Sequence, residues 1–284
     1  MGIYQAILKA MEGGNLSKFI AEIGSNHNND INRTFRTIDA CKDAGFWGVK
    51  FQLFKNETLF REGFDKLSTK ERQDRQLDFE FFKHKICVYC KSIGIAVGVT
   101  PFDMDYSTRL QGTDIDFVKI SSFDILRFAL IDSCLKLDKP IMISTGLATE
   151  EDIVKLLSRY NKTNLTLMYC VSDYPTKLES LYMRNVSKFK NCAKTGYSDH
   201  SVLESAIYSA TLLNDAQFVE VHVDLDGNGF EYNVGHCWKI DKIKPIIKNC
   251  LDALQINSLG GYVSTEQLSK RADPIDGLRP IIRS

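Results

Sequence analysis

Trp47-Gly48-Val49-Lys50-Phe51-Gln52-Leu53-Phe54 is a short apolar run with one lysine and one glutamine set into it. Runs of the same kind recur at residues 19–24, 95–100, 117–121, 141–145, 165–170, 193–198 and 218–223, making eight in all. Each is brief and bounded by polar, Gly or Pro residues, which is how strands buried on both faces of a parallel sheet read. Stretches with helical spacing lie between them, at 31–44, 76–93, 125–137, 150–160, 179–189 and 201–213, with a shorter one at 106–110. A last one, at 240–254, follows the eighth run. In the first, Ile38, Cys41 and Ala44 fall on one face. Thr149-Glu150-Glu151-Asp152 reads as an N-cap followed by acids at the positive end of a helix. Eight strand–helix units specify an α/β fold of the single-domain (β/α)8 TIM barrel type rather than a doubly wound sheet. No GxGxxG or Walker loop follows any strand. The barrel is expected over 19–256. A short helix over 3–11, within a lead-in of residues 1–18, plugs its bottom, and 257–284 form an irregular tail.

Composition narrows the function. The chain has 284 residues, with 36 Lys+Arg against 36 Asp+Glu, so no bulk charge draws it to nucleic acid or a membrane surface. Its 44% hydrophobic and 25% charged residues exclude wholesale disorder. The first dozen residues lack the pattern of a signal peptide, and Ala6 breaks the myristoylation pattern opened by Met1-Gly2. No apolar run is long enough to span a bilayer. A cytoplasmic protein is expected, and its eight scattered cysteines are then reduced thiols. Cys87-Val88-Tyr89-Cys90 has CxxC spacing but lies in a helical stretch with no second pair, which favours plain core thiols over a redox or zinc site.

Barrel chemistry belongs at strand C-terminal ends. Those ends offer Glu22 with Asn26-His27-Asn28, then Lys50 and Gln52, then Thr100 to Asp103. The fourth and fifth offer Lys119, Ser121, Ser122, Asp124, Ser144, Thr145 and Gly146. The last three offer Ser172-Asp173-Tyr174, Ser198-Asp199-His200, and Glu220 with His222. Lys50, Lys119 and Glu220 are charged inside apolar strands, so each needs a partner. A purely structural Lys–Glu network would satisfy them. Two lysines beside several hydroxyls better suit a small dianion. His200 and His222 end neighbouring strands and can converge on one divalent cation. His84 reads as a surface residue, and His27 as either a loop-ordering or an acid–base group.

The ordered series Ala21-Glu-Ile-Gly-Ser-Asn-His-Asn28, Val49-Lys-Phe-Gln52, Thr100-Pro-Phe-Asp103, Lys119-Ile-Ser-Ser122, Ile143-Ser-Thr-Gly146, Tyr174-Pro-Thr176 and Gly196-Tyr-Ser-Asp-His200 resembles the sialic acid synthase family. That family condenses phosphoenolpyruvate (PEP) with N-acylated amino sugars. The resemblance runs from about Lys18 to His222 and is specific as a set. It implies that Lys50, Gln52, Thr100, Lys119, Ser122, Ser144, Ser172 and Ser198 hold PEP. His200 and His222 then hold manganese or magnesium, while Glu22, Asp124, Tyr174 and Glu220 surround the sugar and the reacting carbons. Glu22, Lys50, Lys119 and Glu220 form the implied catalytic set. The implied partners are PEP and an amino sugar, without nucleic acid or membrane, and a homodimer is the assembly left open.

Three departures bear on the acceptor. Asn29 stands where the family has Gly, and Asn tolerates left-handed backbone. The stretch 224–238 replaces the family's Pro-Gly-Pro-Asp loop, and its Glu231 and His236 are candidate sugar-binding substitutes. The sequence ends at Ser284 without the family's antifreeze-like domain and its arginine, for which Arg61, Lys66 or Lys70 would have to stand in. All three fall on the sugar side, so an altered acceptor is expected. Two rival readings are a Schiff-base lyase using Lys50 or Lys119, and a barrel that binds sugar or PEP without turnover.

Overall fold

The eight runs fold as strands: β1 Lys18–Glu22, β2 Gly48–Leu53, β3 Ala96–Pro101, β4 Phe117–Ile120, β5 Ile141–Ser144, β6 Leu165–Tyr169, β7 Lys194–Asp199 and β8 Phe218–Asp224. The computed structural model describes residues 16–59, 69–160 and 165–258. Each strand pairs in parallel with the next. β8 then closes on β1, in a register that sets Ile20 beside Glu220 and Glu22 beside His222. The result is the expected (β/α)8 barrel. A two-residue strand, β9 Trp238–Lys239, pairs with Val223 and Asp224 at the end of β8. It had no signal of its own in the sequence.

Side chains alternate along a strand, so each strand feeds two different cores. Val49, Phe51, Val97, Val99, Val118, Ile120, Ile143, Val219 and Val221 belong to the large core that the surrounding helices cover. The opposite phase supplies Ile20, Phe117, Met142 and Met168, a separate buried cluster against which Trp47 and Phe218 pack. Room for these large groups comes from glycine. A Cβ at Gly98 would lie 2.2 Å from the Phe117 ring, and one at Gly196 would lie 2.4 Å from the Met168 sulfur. Two residues further along the same strands stand Glu22, Lys119, Ser144 and Glu220, with Cys170 just past the end of β6. The barrel interior therefore passes from an apolar floor to a polar rim at the C-terminal ends.

The helices follow their local signals. Asp30, Asp78, Asp103 and Thr149 cap Ile31–Asp43, Phe79–Phe81, Met104–Arg109 and Glu150–Arg159, and Thr149 with Asp152 completes a capping box. Two expected helices contain π turns, Phe82–Ile86 and Ser209–Leu213. The helix expected over 179–189 does not form. That stretch is two 3-10 turns, Leu178–Ser180 and Met183–Ser187, in which Ser187 hydrogen-bonds back to the Arg184 carbonyl. The last helix, Ile240–Ser258, runs past its expected end at 254. The expected helix over 3–11 and the tail beyond 258 lie outside the described residues. No helix among the described residues is long and apolar enough to cross a membrane.

Candidate active site

Lys50, on β2, meets Glu22 across the strand pair, donates to Thr100 Oγ1 at 3.0 Å and lies 3.8 Å from Glu220. Gln52 donates to the other Glu22 oxygen at 2.8 Å. Lys119, on β4, donates to Ser144 Oγ at 2.6 Å and approaches Glu220 at 3.7 Å, while Ser198 donates to the same Glu220 oxygen at 3.0 Å. Every charge in this ring is buried. Burial works against ionised Glu220, yet Lys119, Lys50 and His222 hold its carboxyl down to about 2. Burial works against cationic Lys50 as well, and Glu22 with Glu220 outweighs it, so the ammonium is retained. For Lys119 burial prevails over Glu220 and lowers the ammonium's affinity for its proton. Burial also pushes Glu22 above the usual carboxylate range despite Lys50.

A second group of hydroxyls surrounds Gly146. Its amide donates to Ser122 Oγ at 3.1 Å, and a Cβ there would lie 2.5 Å from Ser172 Oγ. The Ser172 hydroxyl is buried and has no partner. Only glycine leaves these hydroxyls uncrowded.

On the other side of the rim, the His200 and His222 rings meet edge to face with centroids 5.3 Å apart, and the Tyr174 ring lies tilted against His200 at 4.3 Å. His200 Nδ1 lies 2.7 Å from the Val171 carbonyl. That bond leaves Nε2 as the ligating atom, the arrangement metal-binding histidines commonly show. The donor chemistry thus fits a divalent cation. His222 Nδ1 also lies 3.4 Å from Glu231, and His236 closes on His222 with ring centroids 4.6 Å apart. Burial favours neutral His222, but the Glu231 hydrogen bond and the nearby carboxylates raise its proton affinity above the usual value.

Glu231 and His236 reach this point because the loops after β1 and β8 are bonded together. Asn26 donates to the Val223 carbonyl at 2.8 Å and accepts from the Glu231 amide at 2.7 Å. Arg33 binds the Asn26 carbonyl, Asp224 and Asp226 at 2.6–2.8 Å. The Ser25 amide donates to Glu231 Oε1 at 2.6 Å, over Gly24, where a Cβ would come within 2.5 Å of that carboxylate. Asn28 and Asn29 both adopt left-handed backbone, with φ of 52° and 53°, as expected for Asn29. Asp199 accepts from Trp238 Nε1 at 2.9 Å, which fixes the far end of the loop.

The predicted PEP positions therefore gather on the lysine side and the two predicted metal histidines on the other. Asp124 is buried but engaged, by Ser121 at 2.6 Å and Arg127 at 2.7 Å. His27 is buried and accepts the Asn29 amide, the loop-ordering alternative. His84 is exposed, as expected. Cys87 and Cys90 are buried free thiols, and burial pushes the Cys87 thiol up to about 12, far from reactive. Lys70 is exposed, and Arg61 and Lys66 lie outside the described residues. Sequence reasoning missed Asn26, Arg33 and Asp199 as loop fasteners, and Cys237 beside His236. The adjacent His236-Cys237 pair was the available signal for the last.

A family model described as the NeuB family matches residues 37–260. The N,N'-diacetyllegionaminic acid synthase of Campylobacter jejuni is 30% identical over 227 residues, which are 74% of this chain and 68% of that protein. The N-acetylneuraminate-9-phosphate synthase of Drosophila melanogaster is 32% identical over 224 residues, 73% of this chain and 60% of that protein. The chain thus spans 60–68% of the length of these relatives. A sialic acid synthetase structure from Leptospira borgpetersenii superposes with a TM-score of 0.75 at 23% identity, covering 89% of this chain and 90% of that one. The spore coat polysaccharide biosynthesis protein spsE of Bacillus subtilis superposes with a TM-score of 0.72 at 24% identity, covering 89% and 73%. These two likenesses bear on the fold alone.

Proposed function

Because the chain belongs to the NeuB family, we propose that it condenses phosphoenolpyruvate with an open-chain N-acylated amino sugar. The product is a 2-keto-3-deoxy sugar acid of the sialic, legionaminic or pseudaminic type, and phosphate leaves by C–O cleavage. The observation that carries this reading is the pair of buried lysines beside a partnerless buried hydroxyl, Ser172, at the C-terminal rim. Such a set suits the carboxylate and phosphate of one small molecule.

In this reading Lys50 and Lys119 neutralise the PEP anion, and Thr100, Ser122, Ser144 and Ser172 donate to its oxygens, joined by Ser198 once it turns from Glu220. The strands hold these side chains in place before substrate arrives, so only hydroxyl rotations are needed to meet its charge. The PEP methylene carbon bonds to the aldehyde carbon, and the aldehyde oxygen takes a proton. The resulting cation at C2 is stabilised by its enol oxygen. Water adds at C2 and gives a proton to Glu22, whose raised proton affinity suits it as a base. The C2–O bond to phosphate then breaks and the added hydroxyl loses its proton to leave the ketone. A divalent cation, manganese or magnesium, held around His222 and His200, would supply Lewis-acid polarisation of the aldehyde. Tyr174 and Asp124 stand on the sugar side. The 224–238 loop reshapes that side, which supports an acceptor different from that of typical members.

Phosphate release from PEP with manganese and a panel of amino sugars, followed by product masses, tests the proposal. Lys119→Ala should abolish release and keep the wild-type circular dichroism. Near-normal turnover in that variant would overturn the role given to Lys119. Borohydride trapping of a carbonyl substrate on Lys50 or Lys119 would favour a Schiff-base lyase instead.

A further inference from the structure

Cys237 has no part in the chemistry above, yet it stands in the wall of the site. It is 5% exposed, and its sulfur lies 3.8 Å from His236 Nε2. His236 Nε2 is also 3.8 Å from Glu231 Oε2, and His222 Nδ1 is 3.4 Å from the same oxygen. One ligand atom from each of these four residues lies within 4.8 Å of all the others. A tetrahedral ion with bonds of ~2.0–2.3 Å sets its ligands roughly 3.3–3.8 Å apart, so the three measured edges fit with little movement. His236 additionally has a buried Nδ1 without a partner. His200, by contrast, falls outside the set.

We infer that this chain holds a thiophilic divalent metal such as zinc on His222, Glu231, His236 and Cys237, a four-ligand protein site built mainly by the loop after β8. Two imidazoles, a carboxylate and a thiolate select zinc, cobalt or ferrous iron over magnesium and manganese. The thiol proton leaves to solvent when the ion binds. The scaffold for such a site is already rigid. Asn26 holds the Glu231 amide and also contacts the Cys237 sulfur at 3.5 Å, and Asp199 holds Trp238 next to Cys237. The inference reassigns Glu231 and His236 from sugar contacts to ligands and takes His222 out of its pairing with His200, and it does not rest on the condensation reading, because its readout is metal binding itself.

The test uses the full chain, stripped with a chelator and titrated with cobalt(II). Wild type should give a near-ultraviolet thiolate-to-cobalt charge-transfer band together with intense tetrahedral visible bands. Cys237→Ser should lose the charge-transfer band, and His236→Ala and Glu231→Gln should weaken cobalt binding by at least about tenfold. His200→Ala should keep the band and bind within about twofold of wild type. Circular dichroism and thermal midpoints of the metal-free proteins identify any variant that fails to fold, and Cys237→Ser, the smallest change of shape among them, is the decisive one. Cobalt binding without a thiolate band in wild type would overturn the inference, as would loss of binding in His200→Ala but not in Cys237→Ser. Phosphate release in the presence of magnesium reports separately on the condensation.

Discussion

A lysine inside an apolar strand is tolerated only where opposite charge meets it, and Lys50 and Lys119 satisfy that demand with Glu22 and Glu220. Such a network was one of two readings open from residue types alone, and it leaves the proposed ligand a donor, because Ser172 keeps an unused hydroxyl. His27 shows the other solution to burial. It is 1% exposed, and desolvation, working against the attraction of Glu231, holds its imidazole down to about 4. The unfolded chain protonates this group near pH ~6.5. Between those values the unfolded state binds the proton and the native state does not, so stability falls as pH drops through that window. The contribution is about 3 kcal/mol at most. Urea unfolding at pH 7 and pH 4.5 should show the loss, and His27→Gln, which keeps an acceptor for the Asn29 amide, should shrink it. An identical pH slope in that variant would remove His27 as the cause.

At the scale of elements, the strand interiors depend on pairing large residues with none. Phe117 fills the barrel floor because Gly98 on the neighbouring strand leaves it space. Gly98→Ala should therefore cost about 1–3 kcal/mol, as overpacking of a rigid core does, measured as a lower urea midpoint with an unchanged slope. A neutral result would mean that the floor can yield. The same scale explains where local reading succeeded and failed. Strands and capped helices carry their own periods and end signals, and Thr149 sits where its hydroxyl type predicts. The 179–189 stretch carries helical spacing too, but its Ser and Asn side chains compete for backbone partners and tight turns result. β9 is only two residues long, too short to carry a period.

At the scale of the whole molecule, closure of β8 on β1 brings the two ends of the described barrel into one rim. A ligand seated there touches strands drawn from across the chain and should stabilise all of them together. PEP at a hundred times its dissociation constant should raise the unfolding free energy by about 2.7 kcal/mol, seen as a higher thermal midpoint. Lys119→Ala should lose that increment, and an unchanged increment would place PEP elsewhere. Eight strands, their order and the charged residues set into them were legible along the chain, because a strand's hydrophobic pattern is local and a buried charge stands out against it. The joining of Glu231, His236 and Cys237 to His222 was not. It follows from hydrogen bonds such as that from the Glu231 amide to Asn26, 205 positions away, which no local pattern records. The order of strands comes from local sequence, and the composition of the rim comes from closure.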